Sequence, residues 1–206
     1  GQDSFEGQQM HSSQFRTADG LDGKNVLVVG ANNSAHDIAE MVVRAGGHPT
    51  LIQRSSTLVV KQMTYLEEVL GPIFSQEALD RGITTAMADV LQSATPMRLF
   101  EKKSVPQWDV VQERDADFYD RLRAAGFNLD FAEDGAGLGA KYRRAASGYY
   151  IDVGASDMVI DGRIAVRSGV TIDKLGANEA VLTSGDALPA DMLVYATGYG
   201  TMEDWV

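Results

Sequence analysis

The sequence predicts an α/β fold built on a parallel sheet, and three observations predict it. Asn25 opens a strand whose Val26-Leu27-Val28-Val29 is an unbroken apolar, branched run, the composition of a strand covered on both faces. It ends at Gly30 and leads into Ser34 to Ala45, where Ala35, Ile38, Ala39, Val42 and Val43 recur at spacings of three and four, as on one face of a helix. Gly46-Gly47 then supplies a left-handed stop, and Thr50-Leu51-Ile52 begins a second branched strand. Strand, glycine turn, helix and strand make a βαβ unit, whose crossover is expected to be right-handed. The predicted architecture is therefore Rossmann-like, with three layers around a parallel sheet.

The other elements follow in order. Residues 1–24 are polar, lack apolar periodicity and read as an extended lead-in. Residues 58–150 read as a mostly helical insertion. Helical spacing runs from Ser75 to Ala94 through Ala78, Ile83, Met87, Val90 and Leu91, and from Asp109 to Ala125 through Val110, Val111, Phe118 and Leu122. Pro96 and Pro106 are expected to punctuate loops between these helices. The remainder returns to short strands at residues 163–167, 169–172, 180–183 and 192–196, with Asn178-Glu179 and Ser184-Gly185 as turns, a pattern resembling a β-meander.

Composition bounds the function. The chain has 206 residues, 18 basic against 29 acidic side chains and a formal net charge of −11, which argues against a nucleic-acid or anionic-membrane partner. No apolar run is long enough to span a bilayer, so a soluble cytoplasmic protein is expected. With no cysteine, the chain holds no disulfide, thiolate metal site or Cys-x-x-Cys pair, and any redox chemistry must be borrowed from a cofactor. His11, His36 and His48 show no metal-ligand spacing, so no metal is expected.

Gly30-Ala31-Asn32-Asn33-Ser34-Ala35 fits Gly-x-Gly-x-x-Gly/Ala with Asn32 in place of the second glycine. The first glycine makes the strand-to-helix turn, the second lets backbone approach a pyrophosphate, and the small third residue lets helix pack on strand. Phosphate oxygens are then held by N–H groups at the helix N-terminus. Asn32 is expected to keep the turn by tolerating positive φ. About 20 residues on, where an NAD site has an acid, the sequence is Gln53-Arg54-Ser55-Ser56-Thr57. Arg54 can pair with a 2′-phosphate and the hydroxyls can supplement it, which favours NADP(H) over NAD(H). A second glycine hexad, Gly135 to Ala140, is expected to be a flexible loop, and Arg143-Arg144 a surface pair.

Three motifs, the second of them in two parts, carry a family resemblance. Phe5-Glu6-Gly7-Gln8-Gln9-Met10-His11-Ser12-Ser13-Gln14-Phe15 resembles the Phe-x-Gly-x-x-x-His-x-x-x-aromatic fingerprint of the class B flavin-dependent monooxygenases, which include flavin-containing and Baeyer–Villiger monooxygenases. Asn33-Ser34 with Asp37, and Gln53-Arg54-Ser55, are similar to the nucleotide turn and NADP-selecting strand end of that family. Tyr195-Ala196-Thr197-Gly198-Tyr199 is similar to its Ala-Thr-Gly-Tyr strand.

The resemblance implies an NADP-binding domain over 21–206, a 1–20 linker carrying Phe5, Gly7, His11 and Phe15, and cofactor contacts at Gly30, Asn32 to Ala35, Arg54, Ser55, Thr197 and Gly198. It assigns no catalytic side chain to this chain. In the whole enzyme it implies that NADPH reduces FAD, and that reduced flavin with O2 oxygenates a small molecule at a heteroatom or carbonyl. The FAD fingerprint of such enzymes lies upstream of the His11 motif, so the FAD-binding domain is expected to be absent from this chain and to be its intramolecular partner. An NADPH domain of another two-nucleotide flavoprotein reductase, or a non-catalytic nucleotide-binding module, are the alternatives.

Overall fold

The computed structural model describes residues 2–199 and divides into two compact units. The first comprises the described residues of Gly1–Ser56, Ala125–Asn128 and Ala155–Val206; the second is Thr57–Ala124 with Leu129–Gly154.

The first unit is organised by a five-stranded parallel sheet in the order β1 (Gln8–His11), β10 (Met192–Tyr195), β2 (Asn25–Val29), β3 (His48–Gln53) and β6 (Ala165–Ser168). The α/β class and parallel sheet expected from the sequence are present. Val26, Leu27 and Val28 are essentially inaccessible to solvent, as a central strand requires. Helix α1 (Asn33–Arg44) packs on β2 and β3 with Ala35, Ile38, Ala39 and Val42 buried, and α8 (Ala155–Ile160) lies beside it. A three-stranded antiparallel meander, β7 (Ile172–Leu175), β8 (Glu179–Leu182) and β9 (Ala187–Pro189), supplies the third layer. Its Ala180, with Ile172, Leu175 and Leu188, packs against Phe5, Leu27 and Leu193.

The polar lead-in is not merely extended. Gln8–His11 forms the edge strand, pairing in parallel with β10 from Gln8↔Met192 to His11↔Tyr195. The Tyr195 hydroxyl donates to Gln9 Oε1 at 2.7 Å across that pair. All four residues of this edge strand are exposed or only partly buried, so none of them requires an apolar side chain, which is why its sequence carries no strand signal. At the opposite end of the sheet, Asp191 acts as a clamp. The Asn25 N–H donates to Asp191 Oδ2 at 2.8 Å, the Asp191 N–H donates to the Asn25 carbonyl at 2.8 Å, and the Gln8 N–H donates to the Asp191 carbonyl at 3.2 Å.

The second unit is mostly helical and also holds a two-stranded parallel ribbon, β4 (Leu58–Lys61) with β5 (Tyr149–Asp152). Helix α2 (Gln62–Thr64) continues as a π-helical turn through Tyr65–Leu70. The helix expected over 75–94 is two, α3 (Gln76–Asp80) and α4 (Thr85–Ser93): Gly82 at φ +86° ends the first, and the Thr84 side chain accepts from the Met87 N–H to start the second. The expected loop at Pro106 is instead inside α5 (Met97–Arg114), which precedes α6 (Ala116–Ala124). A proline inside a helix costs about 3 kcal/mol. Here its ring is exposed, while Ser104, Trp108 and Val111 are buried on the other face and offset that cost.

The glycine hexad is a helix start, α7 (Gly137–Ala145), not a flexible loop. A Cβ at Gly137 would collide with the Trp108 ring, and one at Gly139 would meet Phe100 at 2.6 Å, so these glycines admit aromatic neighbours. Glu67 and Glu68 both bind Arg114, and Glu101 and Asp134 both bind Arg144. Arg144, by its hydrogen bonds first, holds Asp134 down at about 2. Tyr119 is 1% exposed, packed edge-on against Phe131 at 4.9 Å, and its hydroxyl has no hydrogen-bond partner among the described residues.

Two stability measurements test this description. The Asn25 backbone hydrogen bond, and then Lys24, hold the Asp191 carboxyl below its ordinary value. A carboxylate with a lowered folded pKa stabilises the fold above its unfolded pKa of about 3.9 and loses that contribution as pH falls through the folded value. Asp191→Asn should therefore destabilise the protein at neutral pH in chemical denaturation and narrow the gap between neutral and acid stability; an unchanged gap contradicts the clamp. Tyr119→Phe removes a buried hydroxyl without a partner and should leave stability equal or higher by up to about 1 kcal/mol; a clear loss would show that the hydroxyl is satisfied.

Candidate nucleotide site

The registers place His11, Tyr195, Val29 and Ile52 in one row across four strands, so β1, β10, β2 and β3 all end at the same edge. At about 4.8 Å per strand that row is roughly 14 Å long. Chain direction switches beside β2: α1 carries the chain to β3 on one side, while β10 occupies the other. The carboxyl ends of strands at such a switch point are where open α/β sheets bind ligands.

Gly30 sits at the switch. Its φ is +133°, and a Cβ there would lie 2.5 Å from the carbonyl oxygen of Ala196 at the end of β10. The turn thus needs glycine for its conformation and for the space between two strands. Its N–H donates to the Ile52 carbonyl at 3.0 Å, fixing the turn to β3 as well.

Asn32 behaves differently from expectation. It is the N-cap of α1 at φ −101° and ψ −167°, an extended conformation, so tolerance of positive φ is not what keeps an asparagine there. Its side chain makes no cap hydrogen bond, and its carbonyl accepts the Ala35 and His36 N–H groups at 3.1 Å each. Asn33 and Ser34 form the first turn of α1, Ser34 exposed, and Ala35 is fully buried where helix meets strand. Asp37, one turn on, has its carboxyl raised above its ordinary value, first by partial desolvation and then by Glu40.

At the end of β3, Arg54 and Ser55 are exposed, and Arg54 has no ion pair among the described residues. The residue before them has a structural role that its motif does not specify. Gln53 is wholly buried: its Nε2 donates to the Asn128 carbonyl at 2.9 Å, and its Oε1 accepts from the Asn128 N–H at 2.8 Å and the Ser168 hydroxyl at 2.6 Å. A glutamine directly after the apolar pair Leu51-Ile52 is the signal that could have found it. Gln53 anchors the strand end from which Arg54 projects.

The fingerprint residues separate. Phe5 is buried in the core beneath the meander. A Cβ at Gly7 would lie 2.5 Å from both the Phe5 ring and the Asp191 carbonyl, at the amino edge of the sheet, and Phe15 is buried beyond β1. Only His11 reaches the carboxyl edge. The Ser13 N–H donates to His11 Nδ1 at 3.2 Å, so Nε2 carries the ring proton and donates to the Gly198 carbonyl at 2.9 Å. Thr197 and Gly198 are exposed, and the His11 ring lies 5.2 Å from that of Tyr199. Three motifs far apart in sequence therefore meet at one edge. No group of three His, Asp or Glu side chains able to hold a metal exists among the described residues.

Residues 2–132, more than half of the chain, match the family model described as pyridine nucleotide-disulphide oxidoreductase. The chain belongs to the pyridine nucleotide-disulphide oxidoreductase family. Over 97% of its length the chain is similar to a probable indole-3-pyruvate monooxygenase, YUCCA10 of Arabidopsis thaliana, at 26% identity over 44% of that protein. It is likewise similar over 97% of its length to dimethylaniline monooxygenase [N-oxide-forming] 2 of Macaca mulatta, at 23% identity over 32% of that protein. The chain thus spans less than half the length of these relatives. A cyclohexanone-bound cyclohexanone monooxygenase shares the fold: TM-score 0.62, 15% identity, all of this chain and 46% of that one. The resemblance to class B flavin monooxygenases carried by the three motifs agrees with these relatives.

Gly30→Ala tests the turn. Positive φ alone costs about 1–3 kcal/mol, and the contact with Ala196 adds to it. Chemical denaturation should show a loss of at least about 2 kcal/mol; a loss near zero would mean that β10 does not approach β2 as described.

Proposed function

We propose that this chain is the NADP(H)-binding part of a cytoplasmic flavin-dependent monooxygenase that uses NADPH, FAD and O2 to oxygenate a small molecule at a heteroatom or carbonyl. The observation that carries this reading is the convergence of Gly30, Arg54, Thr197-Gly198 and His11 at one sheet edge. The residues fit the cofactor. Gly30 keeps side-chain bulk out of the turn, and Ser34 at the start of α1 is open to solvent. Arg54 is an exposed cation without a carboxylate partner among the described residues.

In this proposal the turn from Gly30 to Ala35 faces the pyrophosphate, whose charge the N-terminal end of α1 favours. Arg54 recognises the 2′-phosphate as a planar, permanently charged fork, with Ser55 beside it. Thr197 and Gly198 border the cofactor on the β10 side, and His11 holds that border by donating to the Gly198 carbonyl. His11 is a positioning residue here, since both ring nitrogens are already engaged. When bound, NADPH supplies a hydride and FAD supplies the oxygen chemistry; the protein supplies orientation. FAD is held mainly outside these residues, a reading supported by relatives more than twice as long as this chain. The chain has no cysteine, so it carries no redox-active disulfide of its own.

Titration calorimetry of the chain with NADPH and NADH checks the assignment. Arg54→Ala should weaken NADPH by about tenfold to a hundredfold, the worth of a charge-assisted contact, and leave NADH nearly unchanged. Equal weakening of both would remove Arg54 from the 2′-phosphate, and absence of binding by the original chain would overturn the reading.

A further inference from the structure

The second unit contains a cavity of about 650 Å³ that the nucleotide reading does not use. It is built wholly from residues of that unit, with walls from the π-helical turn, α4, α5 and α7. Val69, Leu70, Ile73, Phe100, Trp108 and Leu138 make it predominantly apolar. Its volume falls in the range of small-molecule sites, about 300–1,000 Å³.

Charge is what gives the cavity a chemical preference. The chain as a whole carries a net −11, yet no aspartate or glutamate lines this space, and its charged lining residues are Lys103 and Arg143. Both are exposed at its margin. Elsewhere in the unit, Lys61, Arg114, Lys141 and Arg144 each bind a carboxylate. Lys103 and Arg143 make no ion pair among the described residues. The Arg143 guanidinium stacks 4.0 Å above the Phe100 ring and points Nη1 at the Met97 sulfur, 3.8 Å away and a weak acceptor. The stack fixes the plane of the fork while leaving strong donors without a strong acceptor. An apolar cavity with two such cations at its edge is complementary to a molecule with an apolar body and one anionic end.

We propose that this cavity binds a small amphipathic monocarboxylate, its apolar body against Phe100, Trp108 and Leu138 and its carboxylate toward Lys103 and Arg143. The proposal does not rest on the NADP(H) reading, because no residue is shared with the nucleotide site.

The test uses the 206-residue protein and two probes matched in shape, 4-cyclohexylbutanoate and its neutral amide, compared by titration calorimetry at low and high salt. The acid should bind about tenfold more tightly than the amide at low salt, each exposed cation contributing a few-fold, and the advantage should shrink as salt rises. The double variant Lys103→Met/Arg143→Met should bind both probes equally, with amide affinity unchanged. Trp108 reports occupancy directly once Trp205, outside the described residues, is replaced by phenylalanine, since the chain has two tryptophans. Equal affinity for acid and amide in the original protein would overturn the proposal. So would an advantage that survives in the double variant, or the absence of both heat and a change in Trp108 emission with either probe.

Discussion

The parallel pairing of β2 with β10 is the constraint on which the first unit depends. It brings a strand near one end of the sequence against a strand near the other, so closely at their carboxyl ends that Gly30 has no room for a Cβ beside the Ala196 carbonyl. Once that pair is in register, β1 can add to the outer side of β10, and Asp191 can bind Asn25 and Gln8 at the amino edge. The same register carries His11 to the Gly198 carbonyl. A one-residue slip of β10 would turn Leu193 away from Leu27 and the meander and break both edge contacts at once.

The second unit follows another logic. Its helices are less regular, with a π-helical turn, an internal proline and short pieces, and its aromatic core is admitted by glycines where α7 passes α5. Carboxylates gather two at a time around Arg114 and Arg144. Exposed pairs of this kind are worth only about 0–1 kcal/mol each, so their larger effect is on the distribution of charge over the surface. They neutralise some cations and leave Lys103 and Arg143 beside an apolar cavity.

The parts of the fold legible in sequence were those whose signal is local. The unbroken apolar run of β2 and the spacing of α1 arise because a central strand is covered on both faces and a helix on one. Elements stabilised by tertiary packing carry no such local signal. Pro106 marked a loop by local rules, but burial of Ser104, Trp108 and Val111 holds a helix through it. The hexad from Gly135 reads as a flexible loop because the segment after it is too short for a crossover helix, whereas Gly137 and Gly139 are there to admit Trp108 and Phe100. Asn32 occupies extended backbone, so the turn is kept without any positive φ at that residue.

By itself the sequence determined the α/β class, the glycine turn, the arginine after β3 and the three motifs that mark the family, because these depend on residue type and short-range spacing. Only the tertiary structure decided that the motifs share one sheet edge, that the lead-in is a strand, and that Gln53 secures the strand end before Arg54. Those outcomes depend on strand order and register, which arise from pairing between remote segments. Strand order decides which chain ends become neighbours, and here it set His11, Gly30, Arg54 and Gly198 side by side along the sheet.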